Sequence, residues 1–276
     1  MRSLAPLLIA AIVLPAEAAW TPPPNPDPQK ILREARQDRE AGQFADSLAK
    51  LVWFHEHALE YNENLSGIRR TSALADWRLL NYRYGAAREK LRSIRDASTR
   101  DVLTGGKTAR QSFIDVAAIN ETLDEEERTR ELFVKLDASN PALARDVYLR
   151  AQPILVRSGD YVLCGRYIDP KESLEYLTTS YRAGARYARR SLGGDVDLAQ
   201  MQFTSEATLA AALLARNQRN AEARKFADEA LKVVDTPRFH ADLQAALQGE
   251  IPDLGPSESM RSLSRALERA GAYLGF

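Results

Sequence analysis

Apolar residues along this chain recur at three- and four-residue spacing, the signature of amphipathic helices that bury one stripe. No stretch alternates convincingly with period two, and β-branched runs are few, so strands are not expected. The pattern predicts helices over roughly 28–41, 44–62, 68–82, 85–96, 107–120, 123–136, 141–158, 161–168, 171–191, 203–217, 221–234 and 237–249, with a closing one over 257–273. The connections are mostly short, which makes successive helices antiparallel neighbours and the chain a series of helical hairpins. Pro153 falls inside one helix and is expected to kink or shorten it.

The helix starts are marked by their own chemistry. Asp27-Pro28, Asn140-Pro141, Asp169-Pro170 and Thr236-Pro237 each set a capping side chain before a proline. The first residue accepts an orphan amide, and proline at the first helical position gives up an N–H that had no partner there. Thr122 with Glu125 reads as a capping box, which puts Asp124, Glu125 and Glu126 in a first turn where the helix dipole favours negative charge. That acidic cluster is read as a helix start and not as catalytic.

The N-terminus changes the picture most. Arg2 is followed by a twelve-residue apolar stretch from Leu4 to Pro15, then Ala16-Glu17-Ala18, and this predicts a signal peptide over 1–18 cleaved after Ala18. The stretch, broken by Pro6, is short of the about 20 apolar residues that a spanning helix needs. Residues 19–28 hold five prolines and are expected to be an extended linker, leaving 29–276 as a helical-repeat domain. Removing Arg2 and Glu17 from 38 basic and 38 acidic residues leaves 37 of each. That balance disfavours nucleic acid, which calls for a basic excess, and gives no reason for membrane insertion after cleavage. Cys164 is the only cysteine, so no internal disulfide is possible, and an exported chain without one points to a bacterial periplasm or a secreted protein. Asn64-Leu65-Ser66 and Asn120-Glu121-Thr122 match the glycosylation triplet, which carries no weight in that setting.

Some of the hairpins share finer detail. Tyr148, Ala151, Leu155, Ser158-Gly159-Asp160-Tyr161, Cys164 and Ile168 form one set. Ala207, Ala211, Leu214, Ala223, Ala230 and Leu231, closed by Asp235 to Pro237, form a second. Gly42-Gln43-Phe44, Ser47 and Leu51 form a third, running on through Ala58-Leu59-Glu60, and Trp77, Leu80, Tyr84, Ala87 and Leu91 a looser fourth. These spacings resemble the tetratricopeptide repeat in degenerate form, over about a third of the chain. Gly159 and Gln218 hold equivalent turn positions but lie 59 residues apart, and Gly42 lies 117 before Gly159, where the repeat has a period of about 34. The expected fold is therefore all-α, with antiparallel hairpins stacked as an irregular tetratricopeptide-like solenoid; a compact helical bundle is the alternative. The resemblance also implies that Cys164 fills a small-residue slot and is a buried structural thiol.

Candidate chemistry is sparse. Lys107-Thr108 after Gly105-Gly106 lacks the earlier phosphate-loop glycine, whose place Asp101 takes, so the segment reads as a helix connection. His55 and His57, two apart on a helix, point to nearly opposite sides, and with His240 they form no metal-ligand pattern. Asp195 and Asp197 hint at a calcium loop that Ala199 and Gln200 interrupt. Tyr176, Tyr181 and Tyr187 with Arg182, Arg186, Arg189 and Arg190 make one helix both aromatic and basic. Such a face suits an anionic glycan or peptide, but half-buried packing tyrosines beside solvated arginines are the preferred reading.

The expected function is a protein-interaction scaffold or accessory subunit in the bacterial envelope, with a protein or peptide partner and no metal or other cofactor. The resemblance implies groove-facing residues on first helices: Arg36, Arg39, Asp146, Arg157, Thr208 and Arg216. Arg157 and Arg216 hold equivalent places in their hairpins, which suits a carboxylate-bearing partner. An all-α enzyme or a ligand-binding protein acting on envelope glycans or peptides is the alternative. No catalytic residue is nominated. A purely structural subunit of a larger envelope assembly is a third possibility.

Overall fold

A computed structural model describes residues 20–190 and 196–253. The expected signal peptide, Asp195 and the closing helix at 257–273 lie outside the described residues. Among the described residues every regular element is helical. In chain order they are α1 (Pro28–Glu40), α2 (Phe44–Tyr61), a 3-10 turn (Glu63–Leu65), α3 (Ser66–Arg70), α4 (Ser72–Asn81), α5 (Gly85–Thr104), α6 (Ala109–Thr122), α7 (Glu127–Ser139), α8 (Pro141–Arg157), α9 (Tyr161–Tyr167), α10 (Pro170–Arg190), α11 (Val196–Arg216), α12 (Asn220–Leu231) and α13 (Pro237–Leu247). No helix among the described residues is long and apolar enough to cross a membrane.

All four residue-before-proline caps form. Asp27 accepts from the amides of Gln29 and Lys30, Asn140 from Leu143, Asp169 from Glu172 and Thr236 from Phe239. The capping box does not. Thr122 ends α6, its hydroxyl donating back to the Ala118 carbonyl at 2.9 Å, and Asp124 takes a left-handed backbone with φ 59°. Helix α7 then starts only at Glu127, because the turn hands the Glu125 side chain to a group of arginines.

Three boundaries differ from the periodicity for tertiary reasons. The helix expected over 68–82 breaks at Thr71, whose hydroxyl donates to the Gly67 carbonyl at 2.8 Å and offers the backbone another partner. Helix α5 runs on past 96 to Thr104 because Val102 is buried, and Gly105 ends it at φ 68°. Helix α11 begins at Val196, not 203, and packs on α10 where Gly184 meets Ala199. Residues 197–206 are thus helical, which removes the calcium-loop geometry. Helix α8 continues through Pro153 to Arg157.

The chain divides into two compact units, Met1–Arg88 and Glu89–Phe276. In the first, α1, α2 and α4 enclose Ile31, Leu32, Phe54, Ala58, Trp77 and Leu80. Residues 20–27 form no helix or strand, but Trp20 sets its ring edge-on to Trp53 at 6.4 Å, with the Lys50 ammonium 5.7 Å from its centre. In the second unit the principal packing joins each helix to the next or the next but one: α7 to α8, α8 to α9, α10 to α11, α6 to α8, α9 to α11, α10 to α12 and α11 to α13. Helix α11 touches α9, α10, α12 and α13. Its run Ala207 to Leu214 is buried throughout, which explains why that stretch, Thr208 excepted, is apolar on every side. Small alanines there let four neighbours approach at once.

The turn residues Gly42, Gly159 and Gln218, equivalent by sequence, share the left-handed conformation, with φ 79°, 77° and 62°. Such a residue ends a helix by letting the next amides reach back to its last carbonyls. Asp160 and Arg219 do so, donating to Leu155 and Leu214. Cys164 is fully buried beside Tyr148, and burial pushes its thiol up to about 11.

Candidate functional site

The six sequence-nominated residues fall into different surroundings. In the first unit, Arg36 and Arg39 grip one buried carboxylate. Arg36 Nε donates to Asp76 Oδ2 at 2.6 Å and an Arg39 amino group to Asp76 Oδ1 at 3.2 Å. Burial pushes Asp76 up, and the two guanidiniums only partly offset it. Both arginines therefore have an internal role that ties α1 to α4.

The other four lie in the second unit. Asp146 and Arg157 are exposed, and no hydrogen bond or ion pair to described residues holds Arg157. Thr208 is only 5% exposed, inside the α11 packing, and its hydroxyl has no hydrogen-bond partner. Arg216 ends α11 as Arg157 ends α8, but its guanidinium lies 4.5 Å from the Tyr161 ring centre and donates to the Gly249 carbonyl at 3.1 Å. The equivalence of Arg157 and Arg216 is one of position. One is unengaged, and the other is a brace.

A more open feature lies between α10 and α12. A cleft of about 740 Å³ is lined by Lys171, Leu174, Glu175, Thr178, Thr179 and Arg182 on one side and by Glu222, Lys225, Phe226 and Glu229 on the other. Asp169 and Pro170 close one end. Phe226 is buried in the floor and Leu174 half-buried beside it, so the base is apolar and the rims charged.

The rim charges are unequally engaged. Asp169 caps α10 through the Glu172 amide at 2.9 Å. Glu222 takes two bonds from Arg219, at 2.7 and 2.6 Å, and these hold its carboxyl below the usual range. Glu229 pairs with Lys232 at 2.6 Å. Lys171, Arg182 and Lys225 have no such partner among the described residues, and Glu175 is the single rim acid left unengaged. The cleft presents a surplus of positive charge over an apolar base.

The aromatic and basic helix noted in the sequence is α10, and its two characters separate in space. Tyr181 packs on Phe203 with ring centres 5.6 Å apart, as expected of a packing residue. Tyr176 and Tyr187 do not, being 56% and 74% exposed. At 100° per residue they lie roughly 120–180° around the helix from Lys171, Thr178 and Arg182.

The second unit also holds two firm internal braces. Glu125 receives Arg92, Arg95 and Arg128, the first at 2.6 Å and the last at 3.3 Å. Burial raises the Glu125 carboxyl, but the bonds and charges of Arg92 and Arg95 outweigh it and hold the group below its ordinary value. At the α11–α12 turn, Asn217 donates to the carbonyls of Tyr161 and Leu213, both at 2.8 Å. Arg219 donates to those of Gly165 and Ile168 at 3.0 and 2.9 Å. Helix α9 is locked by that turn.

Among the described residues no group of three His, Cys, Asp or Glu side chains is placed to hold a metal ion. His57 pairs with Glu60 at 3.0 Å, while His55 is buried. Asp101 accepts from the Thr108 and Ser112 hydroxyls at 2.8 and 2.5 Å, the role of a loop anchor. Asn120 is fully buried. Comparison with protein families, with curated proteins and with solved structures gives no match for this chain.

The cleft was only half legible in the sequence. The periodicity of α10 marks its basic flank, but nothing local says that α12, some 50 residues on, lies beside it.

Proposed function

We propose that this chain is an exported helical-hairpin protein of the bacterial envelope that works by holding a protein or peptide partner, as a scaffold or accessory subunit. Export rests on the leader-like first eighteen residues. A stacked, tetratricopeptide-like arrangement is supported by the shared left-handed turns at Gly42, Gly159 and Gln218 and by the next-and-next-but-one packing in the second unit. The observation that carries the interaction reading is the α10–α12 cleft. Its cations have no ion-pair partner among the described residues, whereas buried charges elsewhere, such as Asp76, are satisfied within the fold.

The test is crosslinked capture of the tagged chain lacking 1–18 from native envelope extract, with mass spectrometry of what is retained. One stoichiometric partner is expected. A well-folded chain that retains none contradicts the reading. The volume of the cleft favours a second reading, since about 740 Å³ falls in the range of roughly 300–1,000 Å³ typical of small-ligand sites. An all-α enzyme or a binding protein for envelope glycans or peptides would use the same cleft, and a glycan fragment that raises the melting temperature would favour it.

A further inference from the structure

We infer that the α10–α12 cleft is a docking groove for an acidic amphipathic helix, which it seats as a third helix against Leu174 and Phe226. The inference deepens the interaction reading above and rests on it.

Geometry comes first. Two helices side by side leave a groove that a third helix fills, and an apolar base with charged rims is the surface such a guest needs. Leu174 from α10 and Phe226 from α12 both line that base. Thr178 and Thr179 add small side chains that leave room for a backbone to approach.

Charge then fixes the guest. Three of the four acids from Glu222, Glu229, Asp169 and Glu175 are already committed to Arg219, Lys232 and the α10 cap. Among the described residues Lys171, Arg182 and Lys225 remain without an ion-pair partner, opposed by Glu175 and by Asp169, whose carboxylate keeps its charge in the cap, so the cations stay in excess. Farther along α10, Arg189 continues the same flank, since Lys171, Arg182 and Arg189 sit at offsets of eleven and seven residues and lie within about 20° of one another around the helix. The three cations are spaced about 16 and 10 Å along the axis. A guest helix with carboxylates at that spacing meets each of them, while its apolar stripe covers the base.

The surroundings argue against an anionic bilayer as the partner. Tyr176 and Tyr187, the exposed aromatics a headgroup layer would take up, lie on another flank of α10, and the cations line a recess. A nucleic acid is disfavoured by the overall balance of 38 basic and 38 acidic residues.

The test uses the chain lacking 1–18 and a fluorescein-labelled helical peptide of about 18 residues, or about 27 Å, with Leu on one stripe and Glu on its flanks. A second peptide carries Gln for every Glu. We expect the Glu peptide to bind, with affinity falling as salt is raised from about 50 to about 500 mM. The Gln peptide and the variant Arg182→Glu/Lys225→Glu each bind at least about tenfold more weakly. Because the replaced side chains are exposed and have no ion-pair partner among the described residues, the variant keeps its circular dichroism and melting temperature. Arg224→Glu, roughly 150° around α12 from its cleft-lining residues, serves as a control for nonspecific charge effects and costs less than about threefold.

Equal binding of the Glu and Gln peptides, or undiminished binding to the double variant, overturns the proposal. So does binding of phosphatidylglycerol vesicles that the double variant loses while the peptide is ignored, which would make the cleft a lipid site. Peptide failure after a partner has been captured from extract removes the cleft assignment alone. Failure of both removes the interaction reading as well.

Discussion

The brace between α9 and the α11–α12 turn makes one glycine replaceable by nothing larger. A Cβ at Gly165 falls 2.1 to 2.4 Å from the side-chain amide of Asn217, well inside any van der Waals contact. Gly165→Ala must therefore push Asn217 out of place. The move breaks its bonds to the Tyr161 and Leu213 carbonyls. Overpacking costs about 1–3 kcal/mol, and two hydrogen bonds about 0.5–1.5 kcal/mol each. Against that, alanine in a helix gains about 1 kcal/mol over glycine. The net is a loss near 3 kcal/mol, or roughly 6–12 °C in melting temperature for a unit of this size. The assay is urea denaturation of the wild type, Gly165→Ala, Asn217→Ala and the double variant. In the Asn217→Ala background the clash is gone, and Gly165→Ala should become neutral or stabilising by up to about 1 kcal/mol. Gly165→Ala that leaves the wild type unharmed refutes the account of this brace.

Other expectations follow from the same accounting. Glu125→Gln should destabilise the chain by about 1.5–3 kcal/mol at neutral pH, because Arg95, only 4% exposed, loses one of its two carboxylate partners and keeps only Asp96. Since the folded Glu125 titrates below its ordinary value of 4.5, its contribution is complete above that pH and lost as pH falls through the folded pKa. The difference between wild type and variant, measured by denaturant melts, should therefore vanish in acid, and a pH-independent difference contradicts the ion-pair account. Thr208→Val removes a buried hydroxyl with no partner and should be neutral or stabilise by about 1 kcal/mol, with partner binding unchanged; lost binding would return Thr208 to a binding surface. Cys164, buried and with its thiol pushed up to about 11, should resist aromatic disulfide reagents until the chain unfolds, and rapid labelling of the native chain contradicts the packing. Arg216→Glu loses the Tyr161 face and the Gly249 carbonyl and should lower the melting temperature, whereas Arg157→Glu should not.

Helix content was legible because it is written locally. Asp27, Asn140, Asp169 and Thr236 announce their helices through cap and proline together, and all four caps form. The misread boundaries are those decided at a distance. Thr122 and Glu125 have the spacing of a capping box, but Arg92 and Arg95, about 30 residues earlier, claim the carboxylate. Of the nominated binding residues, Arg36, Arg39 and Arg216 carry charges that sequence cannot tell from free ones, because their partners Asp76, Tyr161 and Gly249 lie 33 to 55 residues away. Lys225 went unremarked for the converse reason. Its lack of an ion pair among the described residues shows only once its neighbours Glu222 and Glu229 are seen to be engaged by Arg219 and Lys232.

The most direct measurement is site-specific photocrosslinking in envelope extract, with the photoreactive residue at Thr179 inside the cleft or at Tyr187 on another flank of α10, and sequencing of the crosslinked peptide. An acidic, amphipathic peptide joined through position 179 and absent from position 187 is the predicted result. A crosslink through position 187 alone, or a peptide at 179 without acidic residues, contradicts the claim that this cleft holds an acidic partner helix.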